Sequence, residues 1–334
     1  MAEKNIDCLV VTRPANVTYL TAFSGDDSWA VVTRSVVYLV TDSRYTEQAR
    51  KECILCRIIE RTKPIAQATA KVLKRLHHVQ APAIEKSTSI ALFDVLRKNT
   101  DVRLRTCEDV IEQVRSIKDD GEIVAIKAAA AIAAQALHRT LKLITAGMTE
   151  SELTGMLNLE IRRLGATEGF EAIVAFGPNA SRPHHRPSSR RLRERDSILI
   201  DFGARYKGYC CDITRSFAFG GETAFYKRIF EVVQEAQAAA IKTVRAGVKM
   251  VDVDSAAREV IRKSGLPVYG HGTGHGFGLE IHELPFINAQ NKGELKAGQV
   301  ITIEPGIYIP GRVGVRLEDD VLVTKTGCDI LTKT

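Results

Sequence analysis

Short apolar, β-branched runs alternate with segments of helical periodicity over about the first 115 residues. Strands are predicted at 8–11, 30–32, 36–40 and 54–59, and helices near 43–51, 64–77 and 89–98. A polar break at 118–121 precedes a predicted alanine-rich helix over 122–145. This order of elements predicts a small α/β domain over 1–117 and a second domain over 118–334.

The second domain contains an internal repeat with an offset of about 100 residues. Segment 161–165 resembles 261–265, and each copy has a long helix that we expect to end at Gly147 or Gly247, followed by a shorter helix. Apolar strands that end in an acid, Asp201 and Glu304, recur at a similar offset. The repeat predicts an α+β domain with pseudo-twofold symmetry, in which each half supplies two carboxylates to one centre.

Composition narrows the class of protein. The hydrophobic content of 45% and charged content of 26% are ordinary for a soluble globular chain. The net charge of +7 is mild and aromatic residues make up only 6%, so we expect no nucleic-acid partner. No apolar run reaches the roughly 18 residues that span a membrane. The start has no signal-peptide pattern, and the seven cysteines lack paired metal spacing, so we expect a reduced, cytoplasmic protein.

Four carboxylates and one imidazole in unusual local sequences are the candidate metal ligands. A carboxylate at the end of a buried strand is costly unless a cation or a partner compensates it. Such a set suits two hard or borderline divalent ions, such as Mn²⁺, Co²⁺, Fe²⁺ or Zn²⁺. We expect the first two acids to face each other across a hairpin that turns at 202–204. The set comprises Asp201, Asp212, His275, Glu304 and Glu318.

Histidines in two further segments are candidates for substrate chemistry. The glycine-rich segment 270–278 lacks the Lys-Ser/Thr pair of a phosphate loop, so His275 is interpreted as a ligand and His271 as a substrate-binding or supporting group. His282 is a third candidate in this region. His184 lies in a loop stiffened by prolines, where it either donates to a developing oxyanion or belongs to a basic surface loop.

These residues together resemble the pita-bread metallopeptidases, which include aminopeptidase P, prolidase and methionine aminopeptidase, with creatinase as a metal-free relative. The resemblance covers residues 122–330, and the motifs at 170–179, 271–283 and 304–308 are similar to the Xaa-Pro peptidase branch. Segments 19–25 and 41–45 resemble the creatinase/prolidase N-terminal domain. The resemblance implies a C-terminal pita-bread domain preceded by a smaller α/β creatinase-type domain.

The resemblance also implies a role for each metal ligand. Asp201 and Asp212 would hold one ion and His275 would complete the other, while Glu304 and Glu318 would contact both. Glu304 would in addition act as the general base. The implied cofactor is a pair of divalent ions, with Mn²⁺ or Co²⁺ favoured and Fe²⁺ or Zn²⁺ as alternatives.

Catalytic and substrate-binding roles follow from the same resemblance. His184 and His282 would be catalytic, the latter by steadying the tetrahedral intermediate. His271 would line the substrate pocket, and Arg316, placed with it at the substrate site, would orient Glu318. The implied activity is hydrolysis of the amino-terminal Xaa-Pro bond of short peptides by a hydroxide that bridges two ions, in a homodimer.

One departure from the pattern bears on substrate choice. Many small prolidases have an arginine where this chain has Phe286, which counts against strict dipeptidase action if that arginine holds the dipeptide carboxylate. Arg182 is a candidate to bind a carboxylate instead. Aminopeptidase and dipeptidase action therefore both stay open. A lyase of the same fold and a non-catalytic peptide-binding scaffold are the alternative functions.

Overall fold

A computed structural model describes Met1 and residues 4–332 of the chain. These residues form two units, Met1–Arg115 and a second that begins at Ser116, and each unit has its own apolar core. Over the same described residues, no helix combines the length and the apolar character needed to cross a membrane.

A six-stranded mixed sheet forms the centre of the first unit. Its strands are β1 (Cys8–Val11), β2 (Trp29–Thr33), β3 (Val37–Thr41), β4 (Cys56–Glu60), β5 (Pro82–Glu85) and β6 (Arg105–Cys107). Their order in the sheet is β4-β3-β2-β1-β5-β6, with β1 antiparallel to β2 and parallel to β5. The strands predicted from the apolar runs are thereby confirmed.

Helices cover both faces of this sheet. They are α1 (Pro14–Thr21), α2 (Thr46–Glu52), α3 (Ile65–Arg75), α4 (Ile90–Lys98) and α5 (Val110–Arg115). Successive side chains of a strand point to opposite faces, so Leu9 of β1 packs in the cluster that contains Val17 of α1, whereas Val10 packs in the cluster that contains Leu73 of α3. The first unit is therefore an α/β layered domain.

The second unit contains four long helices and thirteen short strands among the described residues. The helices are α6 (Asp120–Leu141), α7 (Glu150–Arg163), α8 (Ala224–Thr243) and α9 (Met250–Lys263). The strands are β7 (Thr167–Glu168), β8 (Ile173–Phe176), β9 (Ser197–Phe202), β10 (Ala204–Tyr206), β11 (Tyr209–Cys210), β12 (Ile213–Ala218), β13 (Gly274–Gly276), β14 (Glu283–Ile287), β15 (Val300–Ile303), β16 (Gly306–Ile309), β17 (Val313–Arg316), β18 (Asp319–Val323) and β19 (Cys328–Ile330).

The predicted repeat is present as two halves, each with a helix pair packed on a sheet. In the first half, α6 and α7 share a core with the sheet β12-β9-β8. In the second half, α8 and α9 share a core with strands of the sheet β14-β13-β15-β18-β19. The end of β9, which contains Asp201, and the end of β15, which precedes Glu304, therefore belong to equivalent sheets.

The predicted ends of the long helices are wrong. Helix α6 ends at Leu141 and α8 at Thr243, several residues before Gly147 and Gly247. Both glycines do adopt positive φ (84° and 83°), but in the turn that enters the next helix. Their N–H groups donate to the carbonyls of Leu192 and Leu295, which satisfies them without a helix.

Candidate metal centre

The first pair of acids lies at one end of the antiparallel β9–β12 ladder. Asp201 is paired with Thr214 of β12, and Asp212 immediately precedes that strand. The chain does not turn directly at 202–204 as predicted. It first forms the small β10–β11 hairpin in a separate sheet and then returns as β12. Both acids are buried, and the Asp201 charge helps to raise the pKa of Asp212, so this longer connection still brings the two carboxylates close.

His275 lies on β13, between two glycines that permit close contact with neighbouring backbone. A Cβ on Gly274 would lie 1.9 Å from the carbonyl oxygen of Thr302, and one on Gly276 would lie 2.2 Å from that of Leu284. No side chain fits at those distances. The backbone N–H of His275 donates to Thr302 Oγ1 at 3.0 Å. The glycine-rich sequence therefore places the histidine backbone against its neighbouring strands rather than in a phosphate-binding loop.

The second pair of acids comes from the other half. Glu304 directly follows β15, and Glu318 lies between β17 and β18. Glu318 is almost fully buried at 1% exposure, and its Oε2 accepts a 2.6 Å hydrogen bond from the Thr214 hydroxyl. That bond joins a ligand candidate of the second half to a strand of the first. The two halves therefore converge on one centre.

The donor atoms at this centre fit a divalent cation. His275 Nδ1 donates to the Gly276 carbonyl at 3.1 Å, which leaves the Nε2 lone pair free. That Nε2 lies 3.6 Å from both Asp212 Oδ2 and Glu304 Oε1. Ligand atoms of Asp212, His275 and Glu318 all lie within 4.8 Å of one another, and Asp212 Oδ1 is buried with no hydrogen-bond partner among the described residues. Lone pairs that face each other at these distances repel unless a cation or a proton lies between them, and this set of oxygen and nitrogen donors suits a divalent cation.

The pKa shifts at this centre also favour a bound cation. Burial, followed by the nearby Glu318 carboxylate, raises the pKa of Asp212 well above its usual value. Burial also raises the pKa of Glu318, and it raises that of Glu304 to about 8. Burial lowers the pKa of His275 to about 4, so its imidazole is neutral at pH 7. A bound cation would reverse this penalty on the carboxylates and would coordinate the neutral imidazole.

Arg316 contacts the acids differently from the prediction. Its guanidinium donates directly to Asp201 Oδ2 and, at 2.7 Å, to the Tyr308 hydroxyl. Its Nε donates to Thr214 Oγ1 at 3.2 Å, and Thr214 in turn donates to Glu318. No direct hydrogen bond from Arg316 to Glu318 is present among the described residues. Arg316 thus orients Asp201 directly and Glu318 only through Thr214.

His271 has both ring nitrogens engaged by the protein. Nδ1 donates to the Gly272 carbonyl at 2.7 Å, so Nε2 accepts, at 3.1 Å, the proton of the Tyr308 hydroxyl. Burial, followed by Arg316, lowers the pKa of His271 to about 4. The ring also stacks on Tyr269 with centroids 4.8 Å apart. His271 therefore presents a neutral ring to its surroundings rather than a free donor.

A cavity of about 440 Å³ opens onto this centre. All five predicted ligands line it, and so do His184, His271, His282 and Arg316. His184 and His282 are both exposed, and the His282 ring meets that of His275 edge-on with centroids 4.4 Å apart. Every predicted site residue is therefore brought to one cavity within the second unit.

Sequence reasoning missed three residues that organise this site. Thr214 lies two positions after Asp212, a spacing that alternation along a strand could have indicated. Tyr308 connects His271 to Arg316. Glu150, fully buried at the start of α7, accepts hydrogen bonds from the loop that contains His184. No local pattern marks Glu150, because its partners lie 26–38 residues away.

Comparisons with known proteins agree with this architecture. Residues 124–325 match metallopeptidase family M24, and residues 1–117 match the creatinase/prolidase N-terminal domain. A Xaa-Pro dipeptidase of Pyrococcus horikoshii is 33% identical over 338 residues, which cover 100% of this chain and 95% of that protein.

Solved structures of Xaa-Pro peptidases also have the fold of this chain. The structure of a Xaa-Pro dipeptidase from Bacillus anthracis superposes with a TM-score of 0.96 at 35% identity, covering 100% of this chain and 94% of the other. The structure of an X-Pro aminopeptidase from Thermotoga maritima superposes with a TM-score of 0.91 at 36% identity, covering 98% of this chain and 96% of the other. The resemblance and the fold class expected from the motifs are confirmed.

Proposed function

Because this chain belongs to metallopeptidase family M24, and is therefore a metallopeptidase that uses divalent metal ions, we propose that it hydrolyses the amino-terminal Xaa-Pro bond of short peptides. The convergence of His275 with Asp212, Glu304 and Glu318 at one buried centre supports this proposal most directly. Similarity over nearly the whole chain to a Xaa-Pro dipeptidase and to an X-Pro aminopeptidase supports the substrate class.

Two divalent ions would be held by the five ligand candidates, with Mn²⁺ or Co²⁺ favoured. When bound, such ions acidify water and polarise a carbonyl oxygen. The first half would supply Asp201 and Asp212, and the second half would supply His275, Glu304 and Glu318. Arg316 would keep one oxygen of Asp201 oriented, which leaves its other oxygen for an ion.

Proton movement in the proposed reaction falls to side chains that line the cavity. The Glu304 carboxylate would accept a proton from the attacking water and return it to the proline nitrogen, which has no N–H of its own in the peptide. His184 and His282 are exposed to the cavity and would donate to the oxyanion that develops on the scissile carbonyl. His271, whose ring nitrogens are engaged, would offer the proline ring a flat neutral surface.

The test compares a Xaa-Pro dipeptide with the same sequence extended to Xaa-Pro-Yaa. The protein would be stripped of metal, refilled with Mn²⁺ or Co²⁺, and assayed for release of the first residue, with a matched Xaa-Ala peptide as control. Cleavage of the dipeptide alone identifies a dipeptidase, and cleavage of the longer peptide identifies an aminopeptidase. Folded, refilled protein that cleaves neither contradicts the proposal.

Metal content gives a second test of the same proposal. Metal analysis of the refilled protein should find two ions per chain, and one ion per chain would contradict the dinuclear centre. The homodimer and the cytoplasmic location remain predictions that rest on the family resemblance and on the chain composition. Light scattering on the purified protein would test the first of these.

A further inference from the structure

Two arginines line the cavity, and they differ in how they are engaged. Arg316 is buried at 3% exposure, and its guanidinium donates to Asp201, Tyr308 and Thr214. Arg186 is exposed and makes no hydrogen bond or ion pair with any other residue that the structure describes. An arginine at a cavity wall without a protein partner keeps all of its donors available for a ligand.

The backbone on both sides of Arg186 is held in place by one buried carboxylate. Glu150 Oε2 accepts from His185 Nε2 at 2.8 Å, from the Ser188 N–H at 2.9 Å and from the Ser188 hydroxyl at 2.5 Å. Pro187 between them further restricts the chain. The loop is therefore fixed while the guanidinium it presents is free, which lowers the ordering cost of binding a ligand there.

Arg182 lies in the same loop but is engaged elsewhere. Its guanidinium donates to Asn179 Oδ1 at 2.5 Å, and the residue is not among those that line the cavity. The structure therefore favours Arg186 over Arg182 as the cation that meets a ligand. Arg182 offers a matched control of equal charge on the same loop.

We propose that Arg186 binds the free carboxylate that follows the proline ring in a Xaa-Pro dipeptide. This inference rests on the proposed function, because it assigns one charged end of that substrate. A planar guanidinium matches a carboxylate with two parallel hydrogen bonds. Phe286, 43% exposed, lines the same cavity and provides apolar surface for the ring that bears this carboxylate. Arg186 is thus a specificity residue that favours substrates ending at proline.

The experiment compares a Xaa-Pro dipeptide with its amide, Xaa-Pro-NH₂, which lacks only the charge. In metal-refilled protein, Arg186→Ala should raise KM for the dipeptide by about 10- to 100-fold, the loss expected for charge-assisted hydrogen bonds. KM for the amide should change by less than about twofold, and kcat should change little for either substrate. Arg186→Lys should be intermediate for the dipeptide, and Arg182→Ala should match the wild type on both.

Equal effects of Arg186→Ala on dipeptide and amide, or no effect on either, would overturn the inference. If the wild type cleaves neither of these substrates nor the longer Xaa-Pro-Yaa, the proposed function fails, and binding then tests the carboxylate site separately. Calorimetry on the refilled protein would compare L-proline with L-prolinamide. Weaker binding of L-proline alone in Arg186→Ala, by about tenfold or more, supports the site. Unchanged affinity for L-proline overturns it.

Discussion

The two halves of the second unit share a backbone frame but differ in the polar groups that hold their histidine loops. In the first half, Gly147 N–H donates to Leu192 O at 2.9 Å, and Leu192 N–H donates to Met148 O at 2.8 Å. In the second half, Gly247 N–H donates to Leu295 O and Leu295 N–H donates to Val248 O, each at 2.8 Å. The repeat is therefore preserved in main-chain hydrogen bonds as well as in element order.

The side chains at the equivalent start of the second helix are unlike. Glu150 is a fully buried acid that binds the loop 176–188, whereas Met250 packs in the apolar core of its half. The second half instead uses Asp254, one turn later in α9. It accepts from Thr273 Oγ1 and from Arg258, and Arg258 donates to the His271 carbonyl. Each half thus holds its histidine segment with a buried acid, at a different position on the repeated frame.

The largest effect is expected where the halves meet, at the ligands. Asp212→Asn removes a ligand candidate of the first half, and Glu318→Gln removes one of the second. Each should lower kcat/KM by more than about 100-fold, because even groups that only support ligands cost 10- to 100-fold when lost. Each should also reduce the bound metal, measured by elemental analysis of the refilled protein.

A surface acid provides the control for that pair. Glu259 on α9 has a half-exposed side chain that pairs with Arg262, so Glu259→Gln should retain activity and metal content. If Asp212→Asn abolished metal binding while Glu318→Gln kept both metal and activity, the halves would not contribute jointly to one centre. The symmetry of the site would then be structural only.

The second largest effect is expected from substitution of Glu150, the buried acid that has Met250 as its counterpart in the other half. Glu150→Gln replaces a buried acceptor of several hydrogen bonds by an amide whose N–H₂ faces other donors. We expect it to destabilise the protein by about 2–4 kcal/mol and to lower kcat as the His184 loop loosens. Urea unfolding and steady-state kinetics measure the two effects.

Met250→Leu is the matched change in the other half. It conserves volume in an apolar core and should cost less than about 1.5 kcal/mol. If both substitutions destabilise equally, the polar network of Glu150 adds nothing to its half beyond packing. Restored kcat in Glu150→Asp would indicate that an acid at this position, rather than its length, holds the loop.

The ligand candidates can be proposed from the sequence because each one follows a local pattern. Asp201 and Glu304 stand at the ends of apolar runs. His275 lies between two glycines, and glycine is needed at both positions because neighbouring backbone comes too close for any side chain. Strand periodicity and short motifs are local signals. The same reasoning placed helix ends at Gly147 and Gly247, because positive φ is as compatible with a turn that enters a helix as with one that leaves it.

Contacts between the halves were beyond that reasoning. The bond from Arg316 to Asp201 spans 115 residues, and the one from Thr214 to Glu318 spans 104. Such pairings depend on how the two sheets pack, which no local period records. The expectation that Arg316 orients Glu318 therefore misses the direct bond from Arg316 to Asp201, and Arg316 lines the same cavity.

The smallest expected effect concerns Asp201 and Glu304, which end equivalent strands but have different partners. Asp201 accepts a hydrogen bond from Arg316, whereas burial raises the pKa of Glu304 to about 8 from its usual 4.5. Between pH 4.5 and about pH 8, Glu304 is protonated in the folded, metal-free protein but ionised in the unfolded chain. The free energy of unfolding therefore falls as pH rises through this range. Glu304→Gln removes this dependence and should melt at least about 3 °C above the wild type at pH 8, the shift that 1 kcal/mol produces in a unit of this size.

Thermal melts of chelator-treated protein measure the difference in melting temperature between Glu304→Gln and the wild type. This difference should be smaller at pH 5, where Glu304 is protonated in the folded state. Asp201→Asn should instead lower the melting temperature below that of the wild type, because it leaves the buried Arg316 without its carboxylate partner. Adding Mn²⁺ should reverse the order of Glu304→Gln and wild type at pH 8, since the cation stabilises only a folded state that binds it well. A difference that stays constant from pH 5 to pH 8 would mean that Glu304 is not the group that destabilises the metal-free centre.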